Sequence, residues 1–344
     1  MPLTEKRIYV AGHRGLVGSA VIRRLERMGL EDVITRSHAE LDLTDQKSVS
    51  EFFFEYRPEI VFLAAAKVGG ILANATYRGE FIYENLMIQT NVLHQAHLAG
   101  VQRLIFLASS CIYPKHAAQP IKEEYLLTGP LEPTNSPYAV AKIAGVEMCD
   151  AYNKQYGTSY LPVMPTNLYG PGDNFDLETS HVLPALIRKF HLAKLALKND
   201  LEAISKDEAR FGKIPGEVRT SLGLDESGKR VTRVELWGTG APKREFLHVD
   251  DMADACIRLA MESQTRELIN IGTGEDLSIA ELAEIVARVV GYEGDIYFDH
   301  TKPDGTPRKL LDVSRLFETG WRPEIALEQG IAETYKWYLD QLNL

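Results

Sequence analysis

Between a short apolar run, Arg7-Ile8-Tyr9-Val10-Ala11, and an amphipathic stretch from Leu16 to Met28, the chain places Gly12-His13-Arg14-Gly15-Leu16-Val17-Gly18. A strand that enters a helix through three glycines makes a tight turn, and that turn aims the backbone N–H groups of the helix N-terminus at one point in space. The alternation then continues. Asp32-Val33-Ile34-Thr35 reads as a second strand, Gln46 to Tyr56 as a helix and Ile60 to Ala65 as a third strand. A long helical pattern follows from about Tyr77 to Ala99, then a strand at Leu104 to Ala108, a helix from Tyr138 to Tyr156 and a strand at Leu161 to Pro165. Strands separated by helices of this length predict an α/β fold with a doubly wound parallel sheet of the Rossmann type, covered on both faces.

After Asn167-Leu168-Tyr169-Gly170-Pro171-Gly172 glycine and proline cluster and the rhythm weakens, which marks a change of lobe. With 344 residues the chain has room for two. The expected division is a nucleotide-binding domain formed by residues 1–168 with about 245–273, and a smaller α/β substrate-binding lobe formed by about 169–244 with 274–344. Residues 192–233, dense in charges of both signs, are expected to form a helix plus a mobile surface excursion outside the core.

A net charge of −10 argues against nucleic acid or an anionic membrane as partner. The most apolar run, Ile60 to Ala75, is interrupted by Lys67 and Gly69-Gly70, and Met1 to Arg7 has no apolar signal core. Three scattered cysteines suit neither a disulfide framework nor a metal site, so no metal and a cytoplasmic location are expected.

The glycine turn, with Gly12, Gly15 and Gly18 bringing backbone close to a pyrophosphate, predicts a dinucleotide site. Where an NAD site carries an acidic residue after the second strand, this chain has Arg36. A guanidinium there matches a 2′-phosphate, and Arg14 in the turn offers a second donor, so NADP(H) is the expected cofactor. Asp42 and Leu43 fall where the adenine should lie. Tyr138 and Lys142, four residues apart, share a helix face. A phenol needs help to exchange protons near pH 7, because its free pKa is about 10, and a neighbouring ammonium is expected to lower it. Ser109, closing the fourth strand, should point into the crevice where parallel sheets bind ligands. Cys111 lies two residues further on an extended segment and shares that face, whereas Cys149 and Cys256 fall within helical patterns and read as structural.

This set resembles the extended short-chain dehydrogenase/reductase family over nearly the whole chain. Five segments narrow the resemblance: Ala11 to Gly15, Ala64-Ala65-Ala66-Lys67-Val68-Gly69-Gly70, Ser109 to Pro114, Pro165 to Pro171 and Lys302 to Lys309. They are similar to the branch whose enzymes are bifunctional 3,5-epimerases and 4-reductases of GDP-4-keto-6-deoxy-D-mannose, using NADPH and yielding GDP-L-fucose. The resemblance implies that Cys111 and His181 move protons on the carbons flanking the ketone, that Ser109 and Tyr138 hold its oxygen, and that Lys142 anchors the nicotinamide ribose. It adds Ala64, Ala65, Asn167 and His181 to the cofactor contacts. It also assigns Ser109, Asn167, Lys189, Trp237, Arg244 and Lys302 to the GDP-sugar, and a homodimer formed by the helices within 77–99 and 138–156. Three departures stand out: Lys189 where the family often has arginine, His38 where a second arginine assists the 2′-phosphate, and the length of 192–233. The rival readings are a 4-epimerase or 4,6-dehydratase of the same fold, and a catalytically silent dinucleotide sensor.

Overall fold

The computed structural model describes residues 6–30, 32–224 and 233–343. The chain divides into two units. The first comprises residues 1–168, 247–274 and 311–324, and the second residues 169–246, 275–310 and 325–344.

The first unit opens with β1 (Ile8–Ala11), α1 (Leu16–Arg27), α2 (Gln46–Tyr56), β2 (Ile60–Leu63), α3 (Ile71–Thr76), α4 (Arg78–Leu98), β3 (Arg103–Leu107), α5 (Ser136–Tyr156) and β4 (Tyr160–Pro165). β5 (Asn167–Tyr169) leads out into α6 (Val182–Leu197), α7 (Leu201–Phe211), α8 (Gly216–Ser221), β6 (Arg233–Trp237) and β7 (Lys243–Arg244). The chain returns through β8 (Phe246–His248) to α9 (Val249–Glu262) and β9 (Ile269–Ile271). β10 (Leu277–Ser278), α10 (Ile279–Val290), β11 (Asp295–Asp299) and β12 (Arg308–Lys309) belong to the second unit, α11 (Ser314–Glu318) to the first and α12 (Leu327–Asp340) to the second.

The central sheet runs β1-β2-β3-β4-β9 with every pairing parallel. Its strands are apolar at consecutive positions because both faces are covered, and the two-residue side-chain period sorts them into two cores. Ile8, Val10, Ile60, Phe62, Ile105 and Leu107 pack with α1 and α9, whereas Tyr9, Val61, Leu63, Leu104 and Phe106 pack with α2, α4 and α5. Cys256 and Cys149 are buried on these two faces respectively. The expected strand Asp32–Thr35 shrinks to one bridge, Ile34 beside Tyr9, held by Val10 N–H to the Ile34 carbonyl at 3.1 Å and Ile34 N–H to that of Ile8 at 2.8 Å. Pairing stops there because the chain turns at once, with Ser37 accepting from the N–H groups of Glu40 and Leu41.

The second unit has a three-stranded sheet, β10-β7-β12, and a parallel pair, β11-β6. Its core corrects the expectation for residues 192–233. α6 continues to Leu197, and Ala203, Ile204, Ile214 and Leu222 are buried with Ile187, Phe190, Tyr335 and Tyr338. The dense charge concealed an amphipathic stripe: Ala203, Ile204 and Asp207 face inward while Glu202 and Lys206 pair at 2.9 Å on the outside. Residues 225–232 of the expected excursion lie outside the described residues. Among the described residues no helix is long and apolar enough to cross a membrane.

Candidate active site

In the first unit, Gly12 shows why the turn needs glycine. Its φ is +84°, and a Cβ there would sit 2.7 Å from the Ala65 nitrogen, so the turn lies against Ala64 and Ala65. Gly15 is the N-cap of α1 without a side-chain cap, and no acidic residue occupies the first turn, which leaves the positive end of the helix available to a pyrophosphate. These features fit a dinucleotide.

Arg36 donates to the Thr35 carbonyl at 2.7 Å and its guanidinium stacks 4.5 Å from the centroid of the Tyr56 ring. The sequence reading missed its neighbour Glu40. That carboxylate accepts from Ser37 N–H and Oγ at 2.7 and 2.6 Å, bonds that hold its pKa below the usual range, with Arg36 and Arg14 adding to the effect. The signal was the Ser-x-x-Glu spacing of a capped turn. Asp42 gives one oxygen to Thr44 N–H and Oγ1 at 2.8 and 2.7 Å, and lines an open cleft of about 530 Å³ with His38, Thr44, Gly79, Glu80, Tyr83 and Glu84. The side chain of Leu43 is in the core and its carbonyl accepts from Asn91 at 2.9 Å, so only its backbone borders this region.

At the carboxyl end of β3, Ser109 caps a single 3₁₀ turn over residues 110–112, its Oγ 3.5 Å from the Cys111 nitrogen. Ser109 also hydrogen-bonds the Tyr138 side chain. Tyr138 lies in the first turn of α5, its ring edge-on to Phe81 at 6.4 Å. One turn on, Lys142 donates to the Leu107 carbonyl at 2.9 Å, with its Nζ 5.9 Å from the centroid of the Tyr138 ring. The helix therefore delivers both side chains to the mouth of β3, as their spacing implied.

The electrostatics depart from expectation. Burial pushes the Tyr138 phenol well above its ordinary value, a nearby Cys111 charge adds to the rise, and the Ser109 hydrogen bond opposes it. Burial also pushes Lys142 down to about 8. The expected lowering of the phenol by Lys142 is not found, because desolvation dominates both groups, and Tyr138 keeps its proton at neutral pH. Cys111, half-buried and in no disulfide, couples electrostatically to both Tyr138 and Lys142, which places the thiol in the same cluster. Asn167, half-buried, follows β4 on β5.

The second unit carries the other candidates. His181 is the N-cap of α6, and surrounding protein together with the Lys309 ammonium holds its imidazole pKa below the usual value. Lys189 is half-buried on α6; desolvation lowers its pKa against the pull of Glu235 and Glu217. Trp237 is 61% exposed at the end of β6, with Lys302 Nζ 5.0 Å from its ring centroid. Arg244 donates to the Thr306 carbonyl at 2.6 Å, and Thr239 is tied to Asp304 at 2.8 and 2.7 Å. The 302–307 loop thereby gathers Trp237, Arg244 and Lys302. Asp173, which carried no sequence signal, is pushed up to about 7 by burial and keeps one buried oxygen with no hydrogen-bond partner among the described residues. No cluster of metal-ligating side chains occurs among the described residues.

The family model described as NAD dependent epimerase/dehydratase family matches residues 8–206 and 219–272. GDP-L-fucose synthase 1 of Arabidopsis thaliana is 52% identical over 333 residues, 97% of this chain and 93% of that protein. GDP-L-fucose synthase of Escherichia coli K12 is 50% identical over 347 residues, 98% of each. Among solved structures, a GDP-D-glycero-L-gluco-heptose synthase from Campylobacter jejuni, determined in the presence of NADPH, superposes with a TM-score of 0.87 at 39% identity, covering 98% of this chain and 99% of that one. The chain belongs to the NAD dependent epimerase/dehydratase family and, within it, to the GDP-L-fucose synthases.

Proposed function

We propose that this chain converts GDP-4-keto-6-deoxy-D-mannose to GDP-L-fucose by 3,5-epimerisation followed by reduction of the 4-keto group, using NADPH. The observation that carries the reading is the cluster at the mouth of β3: Ser109 bonded to Tyr138, Lys142 behind the ring and the Cys111 thiol within electrostatic reach of both. The Gly12 turn against Ala64 and Ala65, with Gly15, Gly18, Arg14, Arg36, Asp42, the Leu43 backbone, Asn167 and His181, would hold the cofactor. Lys142 and Tyr138 would meet its nicotinamide ribose. When bound, NADPH supplies the hydride for the 4-keto carbon.

The chemistry follows from what each group can do. A ketone acidifies the hydrogens on both flanking carbons. Cys111 is assigned to take such a proton while Ser109 and Tyr138 donate hydrogen bonds to the carbonyl oxygen as negative charge builds on it, and His181 is assigned to return a proton to the carbon. Repetition on the second carbon completes the epimerisation. Tyr138, a phenol that is protonated at neutral pH and whose pKa desolvation raises further, then gives its proton to the C4 oxygen during reduction. Lys189, Arg244 and Lys302 suit the diphosphate of the nucleotide, and Trp237 its apolar surface. A 4,6-dehydratase would need an acidic pair just after the serine. Here those positions hold Cys111 and the buried Ile112 and Tyr113. Incubation with GDP-4-keto-6-deoxy-D-mannose and NADPH, with the sugar product identified, tests the reading; a 4-epimerised or dehydrated sugar overturns it.

If Arg36 takes the 2′-phosphate, Arg36→Ala is expected to weaken NADPH binding by about 1.5–3 kcal/mol, the scale of a hydrogen bond to a charged group, with little effect on NADH. Titration of both cofactors checks this, and equal losses contradict it.

The assembly read here is a homodimer through α4 and α5, with a GDP-sugar as the small-molecule partner and the cytoplasm as the location. Its support is apolar surface on those helices: Tyr83, Leu98, Val140 and Tyr156 are 61%, 62%, 45% and 49% exposed. Light scattering at micromolar concentration is expected to give a dimer mass, and Val140→Arg to lower it; a monomeric parent protein contradicts the assignment.

A further inference from the structure

The match to the family model breaks off at residue 206 and resumes at 219, across the end of α7, the following loop and the start of α8. Within that segment a buried carboxylate, Asp207, meets a buried guanidinium, Arg188 of α6. Arg188 Nε donates to Asp207 Oδ1 at 2.8 Å, and one terminal nitrogen lies 2.8 Å from the same oxygen. The other terminal nitrogen donates to the carbonyls of Phe211 at 2.8 Å and Phe175 at 3.1 Å, while Gly212 also contributes its carbonyl to the fork. The second oxygen of Asp207 accepts from the Tyr338 hydroxyl. Removing two charges from water is costly, and such a pair persists only where every donor is matched, as here.

The fork joins two separate stretches of chain. Phe211 and Gly212 follow α7, whereas Phe175 lies in the loop before His181. Next to Phe175, Asp176 Oδ1 accepts from Glu178 N–H at 3.1 Å, Thr179 N–H at 3.0 Å and Thr179 Oγ1 at 2.9 Å, and so shapes the turn that ends at His181. Gly212 packs against that same carboxylate: a Cβ at Gly212, whose φ is +92°, would sit 2.7 Å from Asp176 Oδ2. Arg188 of α6 thus ties the Phe175 carbonyl to Asp207 and to the Phe211 and Gly212 carbonyls, and Gly212 packs directly against Asp176.

We propose that residues 207–212, gathered on Arg188, form a brace that fixes the His181 loop, with Asp207 and Gly212 as positioning residues for proton transfer at His181. The proposal rests on the reading of His181 as an acid–base residue. A group that must meet a carbon-bound proton tolerates little displacement, and a shift of about 1 Å can cost about 10²-fold in rate. Loosening the brace should therefore slow proton transfer on the sugar carbons and spare the Tyr138-dependent reduction.

The test measures solvent-deuterium incorporation into the GDP-sugar and NADPH consumption separately, each below the variant's own unfolding midpoint. Asp207→Asn strands a buried guanidinium and can prevent folding. Tyr338→Phe, which removes one hydrogen bond while keeping the ring, and Gly212→Ala, which presses on Asp176, keep the proposal testable. For the two milder variants the expected result is deuterium incorporation lowered about 10-fold or more, by the same positioning argument, with the KM for the sugar and the affinity for NADPH unchanged. Equal losses in both measurements, or no loss in either, overturn the brace. His181→Asn in the same assay separates the two claims. If it leaves deuterium incorporation at the parent rate, the His181 assignment falls; if it abolishes incorporation while Tyr338→Phe and Gly212→Ala do not reduce it, the brace alone falls.

Discussion

Tyr138→Phe is expected to slow NADPH consumption with the 4-keto sugar by about 10²–10⁴-fold, the usual contribution of a positioned acid, while deuterium still exchanges into the sugar ring. The change removes a single oxygen. The ring keeps its edge-on contact with Phe81, and Ser109 remains able to donate to the carbonyl, so folding and cofactor affinity should be close to those of the parent. Because a phenol is protonated at neutral pH and desolvation raises the Tyr138 pKa further, the parent's reduction rate should show no loss from Tyr138 ionisation across the neutral range. Stopped-flow absorbance for the cofactor and mass spectrometry for the sugar read the two halves of the reaction independently. NADPH consumption at the parent rate, or deuterium exchange lost in step with reduction, contradicts the assignment.

Cys111→Ser should give the reverse bias. Serine is nearly isosteric with cysteine but far less acidic, so the pocket survives while the group that takes the carbon-bound proton is lost. Loss of general base catalysis of about 10²–10⁴-fold in deuterium exchange is expected, with NADPH binding unchanged and slow reduction of unepimerised or partly epimerised ketone to a sugar other than fucose. GDP-L-fucose formed at near the parent rate would defeat the role given to Cys111. Cys149 and Cys256 are both buried in cores away from solvent and offer no substitute.

The fold was legible where pattern and chemistry agree. β1, β2, β3 and β4 are short apolar runs because both faces of their sheet are covered, and the glycine turn announced its own geometry through Gly12. Ile34 was less legible. Its segment has strand composition but only one residue pairs, since the turn capped by Ser37 and Glu40 competes for the following backbone. Residues 201–222 were misread for a different reason: average charge masks a stripe only three or four residues wide, and Asp207 sits on the buried side of that stripe, where a carboxylate is unexpected without Arg188. The Tyr138–Lys142 spacing placed two side chains correctly but not their energetics. Spacing says which groups meet, whereas the burial that raises Tyr138 and lowers Lys142 depends on residues from β3 and α4 far off in sequence.

The second unit is assembled from three separated stretches, and its core is closed by Ile331, Tyr335 and Tyr338 of α12 against α10 and α6. During synthesis, the apolar faces of α6 and α10 emerge long before the helix that covers them. Contacts this distant in sequence form late, because the intervening chain must first be ordered. The nascent second unit therefore passes through a stage with its aromatic core open to water and exposed to chaperones and to aggregation, while the β1 to β4 framework of the first unit already has most of its partners. Truncating α12 should therefore send the protein to the insoluble fraction, whereas lesions in the catalytic cluster should leave it soluble and inactive.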